Sequence, residues 1–412
     1  MIPTNQPLRN FLFHLIDGVF YMGGLAFTST EIVLSVLIYR LGGSELAIGC
    51  VFALTELGQA FPQLLSAPFA EQMRRQKPMV ILGGFLQRVP WLILGILLWF
   101  RAIPSDGSFV GVVLLLLAIS FTFSGIAAPS WSEYVASTVP LTWRGRLFAL
   151  RQGFTGAVGI LAGWIVARIL ESYPFPRNFA LLFWIAFALW MISLLCLASV
   201  RETPKPKPEK INLKKYFLRQ VPEILRNDRN FRWFLVLKAL MLISLISFGF
   251  FSVYGIKRFN LPPAAVGTFT SLYMAGQILC SFLFGYLADH YGHRLNILLF
   301  CLIVLGQTLL ALFAPSPLLY ELIFLLLGAN RSIQIITFVG MPMEYAESNL
   351  CPTYFAMSYS LVAPFYLSGI VGGGLAPYIG YTGLFLVSAF FALLAFIVAV
   401  RRIRNPRQRL RA

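Results

Sequence analysis

Charge is what this chain has least of. Only 12% of its 412 residues are charged, against about a quarter in an average soluble domain, so an ordinary water-facing surface is excluded. Acidic residues are the scarcer sign, 16 against 33 Lys and Arg. The five cysteines (Cys50, Cys196, Cys280, Cys301 and Cys351) lie in or at the ends of apolar runs without paired spacing. That argues against a disulfide framework and against a metal cluster. Of three histidines, His290 and His293 share one polar loop without carboxylate-rich surroundings, and a solvated loop is expected there rather than a metal site. No phosphate-cradling loop, nucleophile triad or metal-ligand set occurs. ATP drive and enzymatic chemistry therefore find no support, and no cofactor is expected.

What is present is apolar sequence, 58% of the chain. Crossing a hydrocarbon core roughly 30 Å thick takes about 18 to 20 apolar residues in a helix. Runs of that order recur twelve times, over about 11–40, 45–69, 78–100, 109–135, 147–171, 178–200, 232–256, 263–288, 295–314, 317–343, 353–377 and 380–400. They predict helices, because a lipid-embedded segment must satisfy its own backbone and the runs are too long for barrel strands. The first run is longer than a signal-peptide core and only ten residues precede it, so no cleaved leader is expected.

The net charge of +17 is distributed by side of the membrane. Assigning loops alternately puts 24 of the 33 Lys and Arg on one side. Cytoplasmic loops carry that excess, so both termini and the middle loop are expected in the cytoplasm, with the chain in the plasma (inner) membrane. The basic charge then serves orientation and contact with anionic lipid, not nucleic acid. Residues 201–231 form the one long polar stretch, a basic cytoplasmic linker between six-helix bundles at 1–200 and 232–402, with a basic tail at 403–412. In the linker Phe217, Leu218, Val221, Ile224 and Leu225 recur at helical spacing, which predicts a surface helix interrupted near Pro222.

The chain is also written twice. Ile38 to Glu71 can be laid on Ile256 to Asp289 without a gap at an offset of 218 residues (256 − 38). Arg40/Arg258, Gly49/Gly267, Gly58/Gly276 and Gln59/Gln277 are among the shared positions, and Glu71 and Asp289 close the segment with one charge. Glu133-Tyr134 corresponds to Glu344-Tyr345, and Gly159 and Gly163 to Gly369 and Gly373. A membrane protein built from two such halves reads as a transporter with its site where they meet.

The inner loop after the eighth run reads GYLADHYGHR, residues 285–294. It resembles the signature of the major facilitator superfamily, G-x-x-x-D-x-x-G-R-[RK]. Gly285, Asp289, Gly292 and Arg294 match, while His293 stands at a usual Arg or Lys position. The first copy, APFAEQMRRQK, keeps Glu71 for Asp with Arg75 and Lys77 behind it, but has Ala67 at the leading Gly and Arg74 at the second. The resemblance implies an all-α membrane fold of twelve transmembrane helices in two pseudo-symmetric six-helix bundles. It also implies that these residues form an inner gate stabilising the outward-open state. The fifth run lacks the G-x-x-x-G-P-x-x-G-G of the superfamily's drug/proton antiporters and the fourth lacks a mid-membrane Arg, which argues against a typical multidrug antiporter.

Intramembrane ionisable residues are expensive and functional by default. In the first run His14, Asp17, Tyr21, Gly24, Thr28, Glu31 and Ser35 recur at three- and four-residue steps, predicting a polar face toward water or substrate. Glu56 lies mid-span in the second run, and Arg331 mid-span in the tenth beside Asn330 and Gln334. Glu31 or Glu56 is the expected proton carrier, with Arg331 its partner or an anion-binding group. Arg88 reads as structural at least as readily as functional. Asp17, Arg151 and Lys238 read equally as inner-gate residues or solvated helix ends, and Glu133 and Glu344 as a corresponding gating pair. The expected function is secondary transport of a small solute by alternating access, coupled to protons, with export favoured over import. The partners are then a small-molecule substrate, protons and membrane lipid, with the chain a monomer. An organic-anion facilitator or symporter is the alternative within transport. A non-transporting lipid- or pigment-binding assembly factor is the alternative outside it.

Overall fold

The computed structural model of the protein describes residues 6–100, 107–204, 221–345 and 351–403. Among them the chain is helical, without strands, as an apolar chain whose amides find no water in lipid must be. Among the described residues eleven helices are long and apolar enough to cross a membrane. The last, Met357–Arg402, has 46 residues, which at a rise of about 1.5 Å each is roughly twice the hydrocarbon thickness. Gly380 interrupts it in a left-handed conformation, φ 67°, where the sequence places the boundary between its last two runs. Divided there, the eleven become the twelve spans expected.

The described residues fall into two compact units, the first within Met1–Lys210 and including Leu261–Ser271, the second within Ile211–Asn260 and Leu272–Ala412. The first contains α1 (Gln6–Ala26), α2 (Ser35–Arg40), α3 (Glu45–Gln72), α4 (Lys77–Phe100), α5 (Phe109–Thr138), α6 (Leu141–Ser172) and α7 (Arg177–Ser199). The second contains α8 (Val221–Asn227), α9 (Arg229–Ser244) and α10 (Phe251–Phe259). It continues through α11 (Ala265–Tyr291), α12 (His293–Phe313), α13 (Pro317–Tyr345), α14 (Cys351–Ser360) and α15 (Ser368–Arg402). The linker helix expected around Phe217 and Leu218 and the basic tail from residue 404 lie outside the described residues. Pro222 lies in the first turn of α8.

Both units interrupt their first span at the same register. After α1 the chain breaks at Phe27–Ser29, makes a π turn at Thr30–Leu34 and resumes as α2. After α9 it makes a 3₁₀ stretch at Leu245–Phe250 and resumes as α10. Leu245 stands at the same repeat offset from Phe27. Ser29 makes the first break tolerable, its Oγ accepting from Val33 N at 3.2 Å. Short non-α pieces inside a span are where a helix changes direction at least cost.

The repeated glycines mark backbone-to-backbone crossings. A Cβ on Gly58 would stand 2.8 Å from Phe121 Cβ on α5, and one on Gly125 would stand 2.5 Å from Gln59 O on α3. In the second unit Gly276 and Gly328 meet in the same way, α11 against α13, with Leu325 O and Tyr273 O in the space of the missing methyls. Without a hydrophobic drive between helices in lipid, such close approach supplies the packing. The start of α11 clusters with the first unit, where Ser271 Oγ donates to Ile160 O on α6 at 3.3 Å and Gly163 leaves it room.

At its basic end the first unit is tied through the segment after α7. Glu202 accepts from Gln76 N at 2.6 Å and Lys77 N at 3.0 Å, capping α4. Lys77 Nζ donates to Val200 O at 3.0 Å, and Tyr134 OH to Leu197 O and Val200 O at 3.1 and 3.2 Å. Asn10 joins α1 to the same segment, donating to Arg201 O at 3.0 Å and accepting from Arg201 N at 3.1 Å. A carboxylate on two orphan amides at a helix N-terminus is favoured by both hydrogen bonding and the helix dipole. Replacing it resembles loss of an N-cap, so Glu202→Ala is expected to destabilise the first unit by about 1 to 2 kcal/mol. The check is a lower midpoint in denaturation of the detergent-solubilised protein followed by helical circular dichroism, with Glu202→Gln between the two.

Candidate functional site

In the first unit a cavity of about 220 Å³ opens among α1, α3, α4, α5, α6 and α7. Its polar lining includes Asp17 and Tyr21 from α1, Gln87 and Arg88 from α4, and Arg151 from α6. Asp17 and Arg151 are 2% and 6% exposed. Asp17 Oδ2 stands 3.5 Å from Arg151 Nη1, close enough to pair, yet neither atom makes a hydrogen bond. The other carboxylate oxygen is held, Oδ1 accepting from Ser193 Oγ at 2.7 Å. Arg88 donates to the same hydroxyl at 3.1 Å and to Trp190 O at 2.9 Å. Ser193 thus connects the carboxylate to the second guanidinium. Tyr21 OH accepts from Gln87 Nε2 at 2.9 Å, and the Arg151 guanidinium lies 5.1 Å from the Trp131 ring centre.

Small residues make this arrangement possible. A Cβ on Gly18 would overlap Arg151 Nε, and one on Gly24 would overlap the Trp190 indole. Trp190 Nε1 uses that closeness to donate to Tyr21 O at 2.9 Å. The glycines of α1 therefore admit an arginine and a tryptophan against the backbone, and the charge on Asp17 offsets part of the cost of burying a cation.

The structure corrects two expectations about α1 and the helix ends. The polar stripe of the first run is largely a packing face of its own bundle. His14 Nε2 bonds Thr138 Oγ1 at 2.8 Å, Thr28 bonds Gly24 O and Leu25 O of its own chain turn, and Ser35 Oγ donates to Thr30 O. Of the stripe, Asp17 and Tyr21 line the cavity. Asp17, Arg151 and Lys238 are not solvated ends, since all three are buried, Lys238 completely. Partners explain this: Lys238 Nζ lies 3.8 Å from the Tyr359 ring centre and 4.7 Å from that of Phe338, with Ser358 Oγ at 3.5 Å.

Glu31 lies half-buried in the π turn and Glu56 half-buried on α3. The residues before them meet, Thr30 Oγ1 to Thr55 Oγ1 at 3.3 Å. In the second unit Arg331 is half-buried on α13, Gln334 is buried, and Asn330 donates to Gln307 Oε1 at 3.3 Å. Arg331 belongs to the second unit and Glu31 and Glu56 to the first.

The signature loop is partly an internal clasp. Gly292 has φ 81°, a conformation that favours glycine, and ends α11 so that α12 starts at once. His293 is therefore not in a solvated loop. It is buried at the first turn of α12, its Nε2 3.7 Å from Glu344 Oε1 on α13. Arg294 donates to Ala399 O and Val400 O at the end of α15, at 3.3 and 2.8 Å, a cation on terminal carbonyls. Asp289 is exposed and Gly285 half-buried on α11. In the first copy Ala67 is half-buried and Arg75 exposed, while the side chain of Glu71 lies outside the described residues. Glu133 is half-buried on α5, beside Tyr134.

Sequence reasoning missed Ser193, Gln87 and Trp131, and undervalued Arg88. The adjacent Gln87-Arg88 in the middle of the third apolar run was the available signal, because a mid-span Arg requires a polar surround. Ser193 carried none, since a lone serine in a span is ordinary.

Residues 18–262 and 256–412 match the family model of the Major Facilitator Superfamily. Over 346 residues the chain is 22% identical to an uncharacterised MFS-type transporter of Methanocaldococcus jannaschii, covering 78% of this chain and 80% of that protein. Its fold is similar to that of a bacterial homologue of the iron transporter ferroportin in an inward-facing state, with TM-score 0.71, 15% identity and coverage of 96% and 98% of the two chains. It is likewise similar to a D-xylose-proton symporter, with TM-score 0.70, 14% identity and coverage of 97% and 99%. Likeness at such identity shows the fold alone.

Placing a methyl on Gly18 tests the cavity's construction. Gly18→Ala is expected to leave the helical content unchanged, to push the Arg151 guanidinium away from Asp17 and Trp131, and to cost about 1 to 3 kcal/mol through overpacking. The check is an altered tryptophan emission that disappears when the same change is made in a Trp131→Phe background.

Proposed function

Because the chain belongs to the Major Facilitator Superfamily, we propose that it is a proton-coupled secondary transporter moving a small solute by alternating access between its two pseudo-symmetric bundles. The Lys and Arg excess supports cytoplasmic termini in an inner membrane, and the chain acts as a monomer. The observation that carries proton coupling is the Asp17 and Arg151 pair, buried, at 3.5 Å, with no hydrogen bond between the facing atoms. At an effective dielectric near 20, unit charges at this separation attract by about 4 to 5 kcal/mol. Protonating Asp17 removes that attraction. Shifting a two-state equilibrium from 1:99 to 99:1 takes about 5.5 kcal/mol, so one proton on this pair supplies most of such a lever.

Asp17 is accordingly the first proton carrier to test, ahead of Glu31 and Glu56. Those carboxylates and Thr28 in the first unit, and Arg331, Asn330 and Gln334 in the second, are the further candidates for proton and substrate contact. The signature residues Gly285, Asp289, Gly292 and Arg294, with Ala67, Glu71 and Arg75 of the first copy, form the inner gate. Glu133, Lys238 and Glu344 work at the helix ends beside it. Direction follows from coupling: proton and solute binding together give symport, and competition between them gives export.

The test reconstitutes the protein in vesicles carrying an internal pH indicator and screens solutes with and without an imposed proton gradient. A transported solute is expected to move protons, and Asp17→Asn to abolish that movement while solute binding persists. If Asp17→Asn leaves coupling intact and Glu31→Gln or Glu56→Gln abolishes it, the carrier is misassigned. If no solute moves and the gradient never responds, the chain is a binding scaffold.

A further inference from the structure

We infer that the cavity of the first unit takes a small organic anion, whose carboxylate binds Arg151 in the place that Asp17 yields on protonation. The inference rests on the transport reading above and names its substrate class. Charge is the first reason. The cavity presents two guanidinium groups and one carboxylate. Arg88 spends its hydrogen bonds on Gly84 O, Trp190 O and the Ser193 hydroxyl, all of them neutral acceptors. The lining therefore carries an excess positive charge even while Asp17 is ionised.

Geometry is the second reason. Arg151 lines the cavity, and its Nη1 is buried and makes no hydrogen bond. A guanidinium with an unused donor recognises carboxylate geometry better than any other side chain. While Asp17 is charged, an entering anion meets its repulsion and Arg151 is already paired. Once Asp17 is neutral, Ser193 still holds its Oδ1 side and Arg151 faces the cavity without a counter-charge. The groups that face Asp17 are Arg151 on α6, Arg88 on α4, Ser193 and Cys196 on α7 and Trp131 on α5. Asp17 is the acidic side chain among them.

Size gives the organic part. The cavity measures about 220 Å³, and an apolar cavity of about 150 Å³ accommodates benzene. A ring with one carboxylate fills the remainder. Val80, Ala127 and Leu197 wall the apolar side, with Trp131 beside the guanidinium.

The consequence is a coupled uptake. Each anion that binds takes up about one proton, and affinity falls about tenfold per pH unit above the point at which Asp17 loses its proton. Proton and anion then share the cavity in one state, which makes the transport symport rather than exchange.

The probe is benzoate, with benzylammonium and benzyl alcohol as its cationic and neutral counterparts. Binding to the purified full chain in detergent is read by tryptophan quenching from pH 5.5 to 8.5, where benzoate stays ionised, and by calorimetry in two buffers of different ionisation enthalpy. Wild type is expected to bind benzoate with uptake of about one proton, and to bind neither counterpart competitively. Asp17→Asn is expected to bind without pH dependence, and Arg151→Gln to lose at least about tenfold in affinity with its helical signal intact. Absence of benzoate binding, binding without proton uptake, equal binding by Arg151→Gln, or preference for benzylammonium each overturns the inference. The proton count on wild type stands even where a variant does not fold. A neutral or cationic solute that drives protons into vesicles while benzoate fails to bind defeats the anion assignment alone. Proton-linked benzoate binding without any flux across vesicles defeats the transport reading and leaves the site.

Discussion

In a bilayer no water stands ready to complete a hydrogen bond, so every polar atom that enters the hydrocarbon has to find its partner inside the protein. That constraint organises this structure at three scales. It makes the apolar runs helices. It sends side chains to the ends of those helices, where Glu202 takes two amides at the start of α4 and Arg258 takes Ala311 O and Ala314 O at the end of α12 at 2.5 and 3.0 Å. And it gathers Asp17, Arg88 and Arg151 of the first unit around one cavity, because each alone would cost several kcal/mol.

Reading the sequence recovers the first scale almost completely. Length and hydropathy give the spans, and the repeat gives their grouping, since a glycine shared at Gly58 and Gly276 reflects one crossing made twice. The glycine at 380 even separates two runs that the backbone nearly fuses. The second scale is half legible. Arg40 and Arg258 recur in the repeat, but nothing in four residues of linker says that Glu202 will cap a helix that begins 125 residues earlier, at Lys77.

The third scale is the least legible, for a physical reason. A polar stripe on a helix looks the same whether it faces water or another helix, because the pattern records what the stripe avoids, which is lipid. His14, Thr28 and Ser35 avoid it by bonding inside the bundle. Asp17 avoids it with Ser193 and Arg151, and those partners come from helices whose order in sequence carries no sign of the contact. His293 misleads in the opposite way. It stands in a polar string that reads as a loop, yet Gly292 turns the chain so sharply that the ring is buried against Glu344.

The two units share a frame and differ in chemistry. At the repeat offsets Asp17 falls on Leu235, Arg88 on Gly306 and Arg151 on Leu361, so the charged cavity has no counterpart in the second unit. The buried polar groups of that unit include a cation among rings at Lys238, a neutral amide pair at Asn330 and Gln307, and His293 beside Glu344. Matched frames allow two bundles to move as equivalents. Under the proposed coupling, unmatched interiors confine the response to protons to one of them, where a pair that attracts by about 4 to 5 kcal/mol is released by a single proton. A ligand carboxylate that replaces Asp17 on Arg151 restores that attraction with the ligand as one partner. On that proposal, proton and ligand stabilise the same state of the first unit. In the proposed cycle, coupling is therefore a property of one ion pair held slightly too far apart to bond.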